Sequence, residues 1–329
     1  MELLHGSGGS RLEWSRLPAG VRAAIEATAG STVVGAVNQP GGFSPGLAAR
    51  AVLADGRRVF VKAVGAVLDP FAPVLLRAEL DVLSRLPEDL PVPRLLGGHD
   101  DGEWVAAVLQ DVDGRPPVLP WRRDELDRVL ATVTTLASLG TPAPVVVPTV
   151  FAVHEHSFAG WRTLAGGAPP AAGHRGVDDL PVVLRDRLDD LAELEARWPT
   201  AAAGDTLLHG DLRADNVLLT DDRVWLVDWP HATVGAPWLD LLFMLPSVAM
   251  QGGVDIADVW ARHGPARDAD PDAVNAVLAA AAGFFVSRSL HPVPPNLPRI
   301  REFQRAQGDA ALAWLWNRLR VPPDRAGFG

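Results

Sequence analysis

Residues 207–229 read LLHGDLRADNVLLTDDRVWLVDW, a β-rich interval in a region that otherwise looks helical. The spacing of its polar residues constrains how the chain can fold. Residues 217–219 and 224–227 read as two short strands around the turn Thr220-Asp221-Asp222-Arg223. Pairing Leu219 with Val224 sets Asn216 opposite Val227 and Asp215 opposite Asp228, so Asn216 and Asp228 start and end one hairpin at the same edge. Two oxygen donors placed this way suit Mg²⁺, a hard cation that takes a few protein oxygens together with phosphate oxygens. Asp211 precedes Asn216 by one short loop and can sit beside such a metal without being a ligand.

A second signal lies upstream, in RRVFVKAVG (residues 57–65). Lys62 is the only lysine in 329 residues; every other basic side chain is arginine. Abundant Ala, Arg, Pro, Gly and Asp, with no Tyr, look like a GC-rich coding bias, under which arginine serves wherever a generic positive charge is enough. Lys62 is informative as the exception. Residues 47–54 and 58–64 read as strands joined by Asp55-Gly56, a strong hairpin signal. Phe60, Lys62 and Val64 share one strand face, so the lysine projects from a strand interior among apolar neighbours. A helix is expected over 74–85, with Leu76, Leu80 and Leu83 at helical spacing and Glu79 in its middle. Taken singly, such a glutamate is usually solvated.

Around these signals the chain reads as an α+β protein. An N-terminal helix falls within 11–29, with Pro18 near its start and Gly30 as its stop. Strands follow at 33–37 and 105–109, with a glycine-rich loop, QPGGFSPG, at 39–46 and a linker-like segment at 110–116. Beyond Pro120 helices dominate, at 122–138, 181–197, 254–262, 272–286 and 299–319. The segment 165–176 reads as a loop.

The order of VFVKAV with Lys62, the helix with Glu79, HGDLRADN and LVDW resembles the protein-kinase-like phosphotransferases. Within them it is most similar to the aminoglycoside phosphotransferase and choline kinase group. The resemblance implies a two-lobed protein-kinase-like fold: a small β-rich nucleotide-binding lobe over 1–110 and a larger, mainly helical catalytic and substrate-binding lobe over 111–329. It implies that Asp211 is the catalytic base or orienter, that Asn216 and Asp228 hold Mg²⁺ on the nucleotide phosphates, and that Lys62 contacts the α- and β-phosphates and pairs with Glu79. Gly42, Phe43 and Ser44 would cover the phosphates. Gln110 and Val112 would offer a carbonyl and an amide to adenine. Arg213 is expected to face the transferred phosphoryl group or the substrate. His209 and Asp240 are expected to support the catalytic loop rather than carry protons. No G-x-x-x-x-G-K-[ST] is present, so a P-loop is not indicated.

The implied activity is ATP-dependent transfer of a phosphoryl group to a hydroxyl of a small molecule: an aminoglycoside or other antibiotic, an amino sugar, or a choline-like metabolite. ATP against GTP stays open, and a role in resistance, biosynthesis or primary metabolism is not chosen by these motifs. A protein kinase is disfavoured, because Asp228 is followed by WPHATVGAPWLD, with no A-P-E and little room for a regulated loop. A nucleotide-binding module without transfer activity is the other reading, against which stands the filling of every key position. The net charge of −10 argues against nucleic acid or an anionic membrane as partner. The acidic residues Asp255, Asp258, Asp268, Asp270 and Asp272 could attract a cationic aminoglycoside or amine, and the favoured reading is that they are solvated helix ends. His154 and His156 do not share a helix face and suggest no metal. Trp314 and Trp316 read as packing residues. With no cysteine, no signal-like N-terminus and an apolar run at 276–286 too short to span a bilayer, the expectation is a cytoplasmic monomer or homodimer.

Overall fold

The computed structural model describes residues 11–39, 45–167, 170–294 and 297–321. The chain divides into two compact units. Of the described residues, one unit takes those through Pro117 together with Ala214–Ala232; the other takes Val118–Arg213 and those from Thr233 on. The sequence suggested one cut, between 110 and 111. Compactness instead returns 214–232 to the first unit. Arg115 and Leu219 exchange both backbone hydrogen bonds (3.1 and 2.7 Å), and Leu226 donates its N–H to the Pro91 carbonyl at 2.8 Å.

The first unit is built on a five-stranded antiparallel sheet in the order β1-β2-β3-β5-β4. Its strands are β1 (Val33–Asn38), β2 (Leu47–Leu53), β3 (Arg58–Gly65), β4 (Leu95–Asp100) and β5 (Trp104–Gln110). Helix α1 (Ala19–Ala29) covers one face, where Val21, Ile25 and Ala29 meet Leu47, Ala49, Ala51 and Leu53 of β2 and Val59, Val61 and Ala63 of β3. Strand alternation then turns Ala48, Arg50, Phe60 and Lys62 to the opposite face. Helix α2 (Ala72–Leu83) carries Glu79 toward Lys62.

Local differences from the sequence expectations have local causes. Helix α1 begins only at Ala19, because Pro18 sits at its N-cap, and Trp14–Arg16 forms a separate 3₁₀ turn. Gly30 ends it in the left-handed conformation, as its position suggested. The β2–β3 connection runs over residues 54–57: the Leu53 N–H donates to the Arg57 carbonyl at 2.9 Å, the Leu53 carbonyl accepts the Gly56 N–H at 2.9 Å, and Gly56 adopts φ 86°. Strand β4 was not anticipated. Its sequence, LLGGHD, contains two glycines, which are poor strand formers. Gly98 is small because a Cβ there would come within 2.8 Å of Leu80 Cδ2 on α2.

The second unit is mainly helical. Helix α3 (Arg123–Leu139) buries Leu126, Val129, Val133 and Leu136. The helix Pro271–Ser289 is apolar on all sides and buries Ala276–Gly283 without interruption, as a central helix should. It packs on Ile300–Arg318, in which Trp314 and Trp316 are buried. The expected helix over 181–197 is two, Val182–Arg185 and Leu188–Glu195; Asp189 and Asp190 stand in the first turn of the second, where carboxylates favour a new N-terminus. Two short helices, Val150–His154 and Gly160–Ala165, were not anticipated. The buried Glu195 carboxylate caps the latter, accepting the N–H groups of Trp161 (3.1 Å) and Arg162 (3.0 Å). Among the described residues no helix is long and apolar enough to cross a membrane.

Candidate active site

In the first unit three of the singled-out side chains meet. Lys62 Nζ donates to both carboxylate oxygens of Glu79, each at 2.7 Å, and to Asp228 Oδ1 at 2.9 Å. The sheet register explains the placement: Lys62 lies mid-strand, opposite Ala48 of β2 and Ala107 of β5, whose small side chains leave the ammonium room. Glu79 is 3% exposed, so the solvated reading open to a lone mid-helix glutamate does not hold. Burial alone would discharge Lys62. The carboxylates of Asp228 and Glu79 outweigh it and hold the ammonium above its ordinary pKa. Burial raises the Glu79 carboxyl, and the Lys62 charge opposes that rise. Glu79 Oε1 also accepts the Trp229 N–H at 3.3 Å, so one carboxylate ties Lys62 to the residue after Asp228.

The hairpin forms in the expected register, with β7 (Val217–Leu219) against β8 (Val224–Leu226) and Leu219 opposite Val224. Val227 donates its N–H to the Asn216 carbonyl at 3.0 Å, which sets Asn216 and Asp228 at the same end of the hairpin. Asn216 closes the 3₁₀ turn Ala214–Asn216 and is buried. Asp228 has φ 70°, a conformation that costs an L-residue about 1–2 kcal/mol and is kept where the surroundings over-determine it. Its side chain is 46% exposed. An amide oxygen and a partly open carboxylate at one hairpin end form a donor set that fits a hard divalent cation needing further oxygens from phosphate or water. Among the described residues no three His, Cys, Asp or Glu side chains gather as a metal site, so such a cation would depend on those added oxygens.

In the second unit the HGD turn follows β6 (Thr206–Leu208), which pairs with β9 (Thr233–Gly235). Gly210 has φ 81°, which a glycine adopts without strain. Asp240, in the first turn of Leu239–Gln251, accepts the N–H groups of His209 (2.8 Å) and Gly210 (2.9 Å). Burial pushes the Asp240 carboxyl up to about 6; the two amides oppose this and the Asp211 charge adds to it. His209 is fully buried, and its Nδ1 accepts the Asp211 N–H at 3.3 Å. Arg213 Nη1 donates to Asp211 Oδ1 at 3.1 Å, with both side chains partly exposed.

Gly42, Phe43 and Ser44 lie outside the described residues. Gln110 ends β5, and its side-chain oxygen accepts the Arg94 N–H at 3.3 Å. Val112 is buried in the connector that follows. Sequence reasoning missed that this connector is held by arginines. It singled out neither Arg50 nor Arg58, yet both reach Asp111 and Asp113. The available signal was the pair of aspartates in QDVDG. In the HEH motif, His154 ends its short helix, stacks on Phe158 at 4.5 Å and meets Ser157 Oγ.

The sequence pattern of the phosphotransferase enzyme family matches residues 49–276. A 4-hydroxytryptamine kinase of Psilocybe cyanescens is 33% identical over 85 residues, a stretch spanning 23% of this chain and 21% of that protein. Among solved structures, an aminoglycoside phosphotransferase from Alicyclobacillus acidocaldarius superposes with a TM-score of 0.61 at 17% identity, over 95% of this chain and 98% of the other. A choline kinase from Streptococcus pneumoniae superposes with a TM-score of 0.56 at 12% identity, over 91% and 96%. These likenesses show a protein-kinase-like α+β fold.

Proposed function

The chain belongs to the phosphotransferase enzyme family, and from that premise we propose that it transfers the γ-phosphoryl group of a nucleoside triphosphate, ATP in the first instance, to a hydroxyl of a small molecule. The observation that carries this reading is the Lys62–Glu79–Asp228 cluster, built on the only lysine of an arginine-rich chain. A compact ammonium held charged by two carboxylates is suited to meet phosphate oxygens as a point charge.

The roles follow from chemistry. Phosphoryl transfer asks the protein for alignment and charge neutralisation rather than covalent help. Lys62 would bind the α- and β-phosphates, with Glu79 keeping it in place. Asn216 and Asp228 would hold Mg²⁺, which supplies charge neutralisation on the β- and γ-phosphates when bound. Asp211 would accept the hydrogen bond of the acceptor hydroxyl and orient it. The acceptor oxygen bonds to the γ-phosphorus as the bond from that phosphorus to the β–γ bridging oxygen breaks, and the hydroxyl proton passes to Asp211 or to water. Arg213 was expected to face the transferred phosphoryl group or the substrate; its contact with Asp211 Oδ1 supports a role in orienting that carboxylate. His209 and Asp240 hold the turn that presents Asp211. Gly42, Phe43 and Ser44 would cover the phosphates.

Only eleven residues separate Asp228 from Asp240, where the helix Leu239–Gln251 is under way. That shortness favours a small acceptor over a protein. Aminoglycosides and other antibiotics, amino sugars and choline-like alcohols are the classes to test. The test is a panel of such compounds with MgATP and mass detection of the phosphorylated product, for the parent and Asp211→Ala. A product formed by the parent, and lowered at least about a hundredfold in the variant, is expected. Nucleotide binding with no acceptor phosphorylated would replace this reading with a binding module.

A further inference from the structure

The connector after β5, Asp111-Val112-Asp113-Gly114, carries Val112, which with Gln110 was assigned above to the nucleotide base, and it is gripped along its length from within its own unit. At one end the Gln110 N–H meets the Arg94 carbonyl at 2.9 Å. At the other, Arg115 exchanges two backbone hydrogen bonds with Leu219, and Gly114 passes so close that a Cβ would come within 3.1 Å of the Leu219 carbonyl. Between these ends lies Arg50, from β2. Its Nη2 donates to the Val112 carbonyl and, at 3.2 Å, to the Gly114 carbonyl; its Nη1 donates to Asp113 Oδ1 at 3.2 Å. Its Nε stands 3.2 Å from Asp111 Oδ1, close enough for an ion pair but not aligned as a hydrogen bond. Arg58, from β3, completes the frame, 3.1 Å from both Asp111 Oδ2 and Asp113 Oδ2. The Asp111 side chain is 2% exposed between the two guanidinium groups.

The sheet register gives Arg50 a second property. It lies opposite Phe60, two residues along β3 from Lys62, on the face that carries Lys62. The guanidinium thus reaches the connector from the side on which, in the reading above, the nucleotide binds. That matters for the base. Adenine presents an amino donor and a ring-nitrogen acceptor, which match one backbone carbonyl and one amide. Guanine presents the O6 acceptor beside ring N–H and N2 amino donors, and these need further carbonyl acceptors on the connector. The Val112 and Gly114 carbonyls would be those acceptors, and a planar cation already donates to both.

We propose that Arg50 is a specificity-determining and positioning residue: it occupies the connector carbonyls that a guanine base would need and so selects adenine over guanine nucleotides. The proposal rests on the nucleotide-binding reading above and resolves what the sequence left open, ATP against GTP. Arg58 holds the same two aspartates and acts through them.

The test is calorimetric binding of MgADP and MgGDP to the full chain, for the parent and for Arg50→Gln, Arg50→Ala and Arg50→Lys. The parent is expected to bind MgADP at least about tenfold tighter than MgGDP. Arg50→Gln and Arg50→Ala should shrink that ratio at least about fivefold, chiefly by strengthening MgGDP, while Arg50→Lys keeps most of it because a cation still faces the carbonyls. Where Arg50→Ala does not fold, as judged by circular dichroism, the Gln and Lys variants decide. Equal binding of the two nucleotides by the parent, or a ratio unchanged in variants that merely melt lower, would overturn the proposal and leave Arg50 a structural clamp. A parent that binds neither nucleotide would instead fail the reading on which the proposal stands.

Discussion

Two buried carboxylates in this protein are stabilised by different means. Glu79 and Asp240 are each 3% exposed. Glu79 meets a full opposite charge at 2.7 Å, whereas Asp240 meets the backbone N–H groups of His209 and Gly210. The ammonium beside Glu79 is a side chain that also serves Asp228 and can serve a ligand. The donors on Asp240 belong to the main chain, so what it fixes is the shape of a turn. Burial raises both carboxyls: the Lys62 charge opposes the rise at Glu79, and the two amides oppose it at Asp240, which sits near 6. A cluster of charges suits a place where a charged group must be received; a carboxylate on amides suits a place that must only hold still.

The largest effect should come from breaking the charge cluster on one side. Glu79→Leu leaves the Lys62 ammonium short of a carboxylate in a largely buried place, and should cost about 3–5 kcal/mol in urea unfolding, together with turnover. Adding Lys62→Met should return most of that stability and none of the turnover, because a well-packed apolar pair can replace a buried ion pair in the fold but not at phosphate. A double variant as unstable as the single one would show that the pair supports the fold itself.

Next in size is the amide-held carboxylate. Asp240→Ala removes the acceptor from two N–H donors and should cost about 2–4 kcal/mol, whereas Asp240→Asn keeps one acceptor oxygen and should cost about half as much. Equal losses in the two variants would mean that the second amide bond carries no weight. Lys62→Arg should then lower kcat at least about tenfold with little change in melting temperature, since a forked guanidinium cannot take the place of an ammonium wedged between Glu79 and Asp228. A kcat near that of the parent would remove Lys62 from the phosphate site.

The smallest effect is the most diagnostic, because it depends on the sign of a proton linkage. Asp240 is raised in the fold to about 6 from 3.8, so between those values the folded state binds more protons than the unfolded one. Its contribution to stability is full below pH 3.8 and is lost as pH rises through 6. Buried His263 behaves oppositely. Burial lowers it to about 4 from 6.5, so its contribution is present above pH 6.5 and lost as pH falls through 4. The two terms partly cancel in the parent. Asp240→Asn should make stability rise more steeply with pH between 4 and 6, and His263→Gln should flatten or reverse that rise, both read from melting curves against pH.

Much of this was legible in the residues. The 217–219 and 224–226 hairpin and its register follow from strand alternation around a polar turn, and they alone set Asn216 and Asp228 at one end. The Lys62 strand face followed from period two, and Gly30 marked the end of α1. Other features were not legible. Strand β4 carries two glycines, one of them packed against Leu80 of α2, and a glycine set against a neighbouring element looks like a loop when the sequence is read locally. The cap from Glu195 to Trp161 and Arg162 spans more than thirty residues and has no local pattern at all. Arg50 looked like one arginine among many, and nothing near it in the chain says that it grips Val112 and Gly114, more than sixty residues on.

The functional groups of the candidate site are legible in the residues alone: a lone lysine, a glutamate on the following helix, and an H-x-D-x₄-N element leading into a hairpin that ends on aspartate. These are choices of functional group and spacing, and side-chain periodicity along one strand or helix is enough to read them. Tertiary structure decided which charges meet. The pairing of Lys62 with Glu79 and Asp228, the seating of Asp240 under the HGD turn and the grip of Arg50 on the connector each join residues distant in the chain. Such contacts depend on how sheet and helices pack, and packing is a property of the whole fold that no local window contains.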